Sequence, residues 1–314
     1  MIELVLGRTG AHRVRFAISP LEEALGAIEV ILGKRSHPAH LPWLRRAADR
    51  AGRLPLAELF RVLSGAHYIT DFLSPPPGTP ETTAAAQLDL VRATPPAQVA
   101  LELARVDADL GALPDDPERA RDLLAAQLEI AWTELVEPDW PRLRHTLLAD
   151  VDHRARRLAN GGIALALADL HQRVRLTGDT IGVASSSRGR VHLDHRGLQL
   201  IPSVFAWPGV GVITGEPWHP ALLYPARGVA ELWSAPDRPP GALAGVLGRS
   251  KAALLSTLNR PAGTAELALR LGLAPSTVSG HLTALRAAGL LATTRHGHEV
   301  RYHRTGLGDA LLRP

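Results

Sequence analysis

The chain has no cysteine, one methionine and only two lysines, Lys34 and Lys251, among 314 residues. Without thiols there can be no disulfide, no thiol nucleophile and no thiolate-ligated metal. Aromatic residues make up only 4% of the chain, so a core has to be built from Leu, Ala and Val. No apolar run approaches the roughly 18 residues of a membrane span, so no membrane partner is expected. The opening MIELVLGRTG lacks the basic start and apolar stretch of a signal peptide, which leads to the expectation of a cytoplasmic protein.

What is present is ordinary for a globular protein: 46% hydrophobic and 21% charged residues, enough to bury a sizeable core. The length suits two domains at about 150 residues each. The net charge of +4 is unevenly spread. Residues 241–314 carry nine Lys and Arg against Glu266, Glu299 and Asp309, a net of +6 that leaves −2 for the rest. A basic tail on a slightly acidic body points to a polyanion partner for the tail, or to a merely solvated basic face.

Three stretches differ in pattern. Alternation at Ile2, Leu4, Leu6 and at Val14, Phe16, Ile18 predicts one or two N-terminal strands. Residues 20–172 read as helices divided at Ser74–Gly78, Pro95-Pro96, Pro114 and Pro138, with 117–136 as the best single helix. Short β-type runs at 174–176, 180–184, 190–193, 198–201, 210–214 and 222–224 predict a small antiparallel sheet within residues 173–227. Ser187-Arg188-Gly189 and Asp194–Gly197 read as its hairpin turns. The expected fold is therefore α+β, mainly α. The expected organisation is a body over 1–234, a Pro-rich linker at 235–241 and a separate C-terminal domain over 242–314.

Helices and a hairpin fill 242–305 of that domain. Leu243, Leu247, Leu254, Leu255 and Leu258 give a first helix its apolar stripe. Thr264 is placed to cap the next helix, with Glu266 at the positive end of its dipole. Gly272 suits the tight turn between helices. After Pro275, the residues Val278, Leu282 and Leu285 define a core face, whereas Ser276, Thr277, Ser279, Gly280 and Thr283 are small or hydroxyl-bearing. Short side chains permit close approach to a major groove, and hydroxyls can serve bases or phosphates. Residues 290–304 form a hairpin with a basic tip, fit to lie along phosphates.

The series Thr264–Ala268, Leu271–Leu273, Pro275–Ser279, His281-Leu282, Leu285, Ala288–Leu290 and Val300–Tyr302 resembles the ArsR-type winged helix, over about the last quarter of the chain. That resemblance implies a symmetric dimer on an operator. It carries over Ser276, Thr277, Ser279 and Thr283 as base readers, His281 as a phosphate or packing contact, and Arg295 and Arg301 as wing contacts. Gly280, Arg286, His296 and His298 complete the expected DNA-contact set. There are departures. Ala274 lacks a capping oxygen before the proline, the cysteine pairs of metal-sensing members are missing, and only nine residues follow Thr305 where many members place a dimerising helix. Dimerisation is therefore expected of the first reader helix or of the body. The body is similar to an uncharacterised domain found ahead of ArsR-type readers in actinobacteria, through Arg15–Leu21, Ile201–Phe205 and Tyr224–Gly228.

Other constellations are weaker. His192 with Asp194 or His195, and His296 with His298, offer no third ligand by spacing, so no metal and no cofactor are expected. Ser185-Ser186-Ser187 lacks the glycines of a nucleophile elbow, and Gly209-Val210-Gly211 lacks the rest of a dinucleotide fingerprint. Trp207, Trp218, His219, Tyr224 and Trp233 concentrate in the β-rich stretch; they read either as an effector pocket or as cover for the sheet and a dimer interface. The expected function is that of a sequence-specific transcriptional repressor responding to a small molecule and not an enzyme. The alternative is an enzyme or protein-interaction module that keeps the winged helix for packing.

Overall fold

The computed structural model describes residues 1–7, 13–36, 38–65, 70–193, 196–233, 241–258, 260–296 and 299–312. The chain divides into two compact units, Met1–Trp233 and Ser234–Pro314. No helix among the described residues is long and apolar enough to cross a membrane.

The first unit opens with strands β1 (Ile2–Val5) and β2 (Val14–Phe16). Helices follow as α1 (Pro20–Ile31), α2 (Leu41–Ala51), α3 (Ala57–Ser64), α4 (Ala84–Arg92), α5 (Pro96–Leu103), α6 (Pro117–Ala131) and α7 (Trp140–Leu167). Each of α1, α4 and α6 starts at a side-chain cap, from Ser19, Thr83 and Asp116 respectively, which satisfies an otherwise orphaned first-turn N–H. The helix expected over 117–136 is regular only to Ala131, after which Trp132–Val136 winds as a π-turn. Helix α7 is interrupted at Gly161-Gly162.

Helix α1 is the centre of the helical layer: every residue from Pro20 to Val30 is buried. Its Leu21, Leu25 and Ile28 pack into one cluster with Trp43, Leu59, Phe72, Leu128 and Phe205. Because α1 is covered all round, its carboxylates are buried too. The Glu23 carboxylate accepts from the Val204 backbone N–H at 2.9 Å, and Glu29 pairs with Arg35 at 2.5 Å. Burial pushes the Glu23 carboxyl up to about 8 and that of Glu22 up to about 7.

Strands β3 (Val174–Thr177), β4 (Thr180–Val183), β5 (Gly189–His192), β6 (Leu198–Ser203), β7 (Gly211–Ile213) and β8 (Ala221–Pro225) match the β-type runs of the sequence. Their assembly corrects the expectation of one small antiparallel sheet. Two four-stranded sheets form, ordered β3-β4-β1-β5 and β2-β6-β8-β7, and both are mixed. Strand β1 inserts between β4 and β5, antiparallel to the first and parallel to the second. The turn at Ser187–Gly189 is thus no hairpin, since the strands beside it never pair. Likewise, β5 and β6 belong to different sheets; Asp194 and His195 between them lie outside the described residues. Strand β2 runs parallel to β6, and β6 to β8. The physical reason lies in burial. β6 and β8 are buried at every position, as parallel strands covered on both faces are, whereas an antiparallel hairpin would keep one wet face. A short helix α8 (Val229–Leu232) closes the unit.

The second unit contains α9 (Gly241–Leu247), α10 (Arg249–Thr257), α11 (Thr264–Leu271), α12 (Pro275–Ala287), the ribbon β9 (Leu291–His296) and β10 (Glu299–Arg304), and α13 (Gly306–Ala310). The single first helix expected from the leucine stripe is two helices, because Gly248 takes φ +79° between them, a left-handed value that ends α9. Leu243, Leu254, Leu255, Leu267, Ala268, Val278, Leu282, Leu285 and Leu290 form its core.

Candidate nucleic-acid interface

The site is built on the α11–α12 pair. Thr264 does not cap α11; it is the first helical residue, and Gly263 occupies the cap without a side-chain hydrogen bond. Glu266 and Arg270 instead pair across one turn at 2.5 Å. Gly272 ends the helix at φ +63°, and its left-handed conformation turns the chain into α12. Ala268 is buried at this crossing, where a larger side chain would hold the helices apart.

Helix α12 buries Val278, Leu282 and Leu285 completely or nearly so. Its other side presents Ser276, Thr277, Ser279, Gly280, Thr283 and Arg286 to solvent, with His281 half-buried at the margin. Helical spacing aligns Ser276, Gly280 and Thr283 in one stripe, and Ser279, Thr283 and Arg286 in an overlapping one. The hydroxyls are not equivalent. Thr283 Oγ1 donates to the Ser279 carbonyl at 3.0 Å, so its proton is engaged and only its lone pairs face outward. Ala274 at the N-cap makes no side-chain hydrogen bond. The first-turn N–H groups at Ser276 and Thr277 are consequently uncapped, as the missing oxygen in the sequence predicts, and form a local donor pair at the positive end of the helix.

The ribbon is antiparallel, with Val300 opposite Arg295, Arg301 opposite Thr294, and Tyr302 opposite Thr293. This register puts Thr293, Arg295, Val300 and Tyr302 on one face and Thr294 and Arg301 on the other. The two expected wing arginines therefore leave opposite faces of the ribbon, which the sequence treats alike. Arg295 is exposed, whereas Arg301 is half-buried. His296 ends β9, and His298 lies outside the described residues. Arg304 anchors the ribbon's base, bonding the Leu255 and Ser256 carbonyls at 3.3 Å and Asp309 at 2.7 Å.

The five residues expected to form an effector pocket each have their own setting. Tyr224 is wholly buried with Arg154 stacked 4.9 Å over its ring. Trp233 packs with Trp43 and Phe205, each 6.4 Å away. Trp207 meets the His171 ring edge-on at 5.6 Å. The Trp218 indole N–H donates to Glu102 at 2.7 Å, and His219 meets Arg15 at 3.0 Å. Trp207, Trp218, Tyr224 and Trp233 pack in or against the core of the body, each through different neighbours, and His219 lies outside it. A cavity of about 650 Å³ elsewhere in the body is lined by none of them and is walled by Trp132 and Trp140. The sequence signal for it was available: two of only six tryptophans stand eight apart across Pro138, each three residues after a glutamate. Among the described residues, no group of three His, Asp or Glu is gathered as a metal-ligand set.

Residues 253–293 match the family described as bacterial regulatory protein, arsR family. This segment of the C-terminal unit is similar to the arsR-type helix-turn-helix. The match runs from α10 through α12 into β9, so it contains the helix pair and the exposed hydroxyl face just described. Residues 108–230 match a family of unknown function, DUF5937, which spans α6, α7 and the strands of both sheets except β1 and β2. Of the three body stretches singled out in the sequence, those at 201–205 and 224–228 fall within that match. No curated protein and no solved structure matches the chain. The arsR-type segment suggests a DNA-binding transcription regulator rather than an enzyme.

Proposed function

We propose that the chain is a homodimeric, sequence-specific transcriptional repressor, acting in the cytoplasm and relieved by a small molecule that binds its body. The observation that supports this most is the exposed face of α12. Its core side is fully apolar, yet its outer side carries Ser276, Thr277, Ser279 and Gly280 where a merely solvated helix would carry Glu and Lys. Ser276, Thr277 and Ser279 would read base edges in a major groove, with Gly280 allowing close approach. The uncapped N–H groups at Ser276 and Thr277 would hold a phosphate, and Arg286, Arg295 and Arg301 would add cationic contacts on the backbone. Two readers in a symmetric dimer would meet half-sites about one helical turn, ~34 Å, apart. The absence of cysteine from the chain makes thiolate metal sensing chemically unavailable.

Fluorescence anisotropy tests the proposal directly. The full chain should bind duplex from its own upstream region at least about a hundredfold more tightly than random duplex at physiological salt. Equal affinity for both would sink the regulator reading and favour a reader kept for packing.

A further inference from the structure

The cavity in the helical layer of the body is a cleft open to solvent, lined by aromatic and charged side chains. Its volume is about 650 Å³, within the roughly 300–1,000 Å³ of sites for small organic molecules and far larger than a water or ion needs. Trp132 and Trp140 form one wall, their rings 5.0 Å apart and inclined at 72°. Pro20 and Leu88 supply apolar floor, and Glu81, Glu129, Glu137 and Arg144 supply the charge. The π-turn Trp132–Val136 brings the two indoles together from either side of Pro138, and such turns recur at functional sites.

The charges can be resolved pair by pair. Arg144 is ion-paired to Glu81. Glu129 is held by Arg92 at 2.6 Å from outside the cavity. Glu137, exposed at the rim, has no ion-pair partner among the described residues, so one formal negative charge is left on a lining that also holds the half-buried Trp140. Helices α1, α4 and α7 begin at this rim, and their dipoles would favour an anion. However, Ser19 and Thr83 already cap the first two, and at the third the Asp139 carboxylate, which makes no cap hydrogen bond and pairs with Arg46 at 3.3 Å, adds a negative charge of its own. A whole uncompensated carboxylate outweighs two capped half-charges and a third that begins beside an aspartate. Indole faces attract cations in the same sense.

We propose that this cavity binds an organic cation: a protonated or quaternary amine on an apolar body, packed against the accessible side of Trp140 and facing Glu137. This deepens the reading of the body as the effector-binding part, and its test needs no DNA. Titration calorimetry on the full chain would compare benzyltrimethylammonium, benzyl alcohol and benzoate at one ionic strength. The cation should bind saturably and about tenfold or more tightly than the other two. Trp140→Leu should weaken it by about tenfold, Trp140→Phe much less, and the exposed-site change Glu137→Gln by several-fold. Benzoate binding as well as the cation, no saturable binding of the cation, or unchanged affinity in Glu137→Gln would each overturn the proposal. Because operator binding without ligand is measured separately, such a failure would leave the DNA-binding reading untouched.

Discussion

Glu23 shows what a single buried acid does to this molecule. Its carboxyl is wholly buried and accepts the Val204 N–H, tying α1 to the end of β6. Burial raises it from an ordinary 4.5 to about 8, and raises Glu22 and Asp71 to about 7. A folded-state value above the unfolded one means that the folded chain holds these protons more tightly. Their contribution to stability is thus complete below about pH 4.5 and declines as the pH rises through 7 to 8. Urea unfolding between pH 5 and 8.5 should show this decline, and Glu23→Gln should flatten it while raising stability at pH 8. A Glu23→Gln variant with the full decline would assign the effect elsewhere. The reader's residues divide in the same concrete way. Ser276→Ala with Thr277→Ala should lose about 1–3 kcal/mol of discrimination between operator and random duplex. Thr283→Ala should lose less, because its proton already serves the Ser279 carbonyl. Arg295→Ala should weaken all sequences alike and lower the salt slope by about one. These patterns separate by anisotropy on two duplexes at several salt concentrations.

At the scale of elements, the two ends of the reader make opposite predictions. Helix α12 starts without a capping oxygen, so Ala274→Ser should stabilise the C-terminal unit by about 1 kcal/mol, read from its unfolding midpoint. The same change would offer a side-chain oxygen to an N–H that we assign to a phosphate, and operator affinity should fall. Stability gained together with unchanged affinity would remove the first turn of α12 from the interface. Helix α13 docks through Gly308, where an added Cβ would lie 2.3 Å from the Leu290 carbonyl oxygen. Thr305 caps that helix, accepting from the Gly308 N–H at 3.2 Å and donating to the Gly289 carbonyl at 2.7 Å. Gly308→Ala should therefore cost about 1–3 kcal/mol in urea unfolding by forcing α13 away from the Gly289-Leu290 turn. A neutral result would show that α13 does not brace the reader.

For the whole molecule, charge and topology separate the two units. Residues 241–314 carry a net +6 and the remainder −2, so the steep salt dependence of DNA binding should belong to the reader. A plot of log affinity against log salt should keep its slope when surface charges of α2 such as Arg45 are neutralised. It should become shallower when Arg286 is neutralised. The sequence by itself determined the winged helix almost completely. Its signals are local: Gly272 in the turn, Pro275 at a helix start, apolar side chains at 278, 282 and 285, and a basic hairpin. Each acts within a few residues. It also determined where most strands of the body run. Only the tertiary structure decided how they assemble, because β1 pairs with strands about 180 residues later, and no local period encodes so distant a partner. The same holds for the body's candidate site. Trp132, Trp140 and Glu81 come from three separate segments, and only packing around the buried α1 turns them into one cavity.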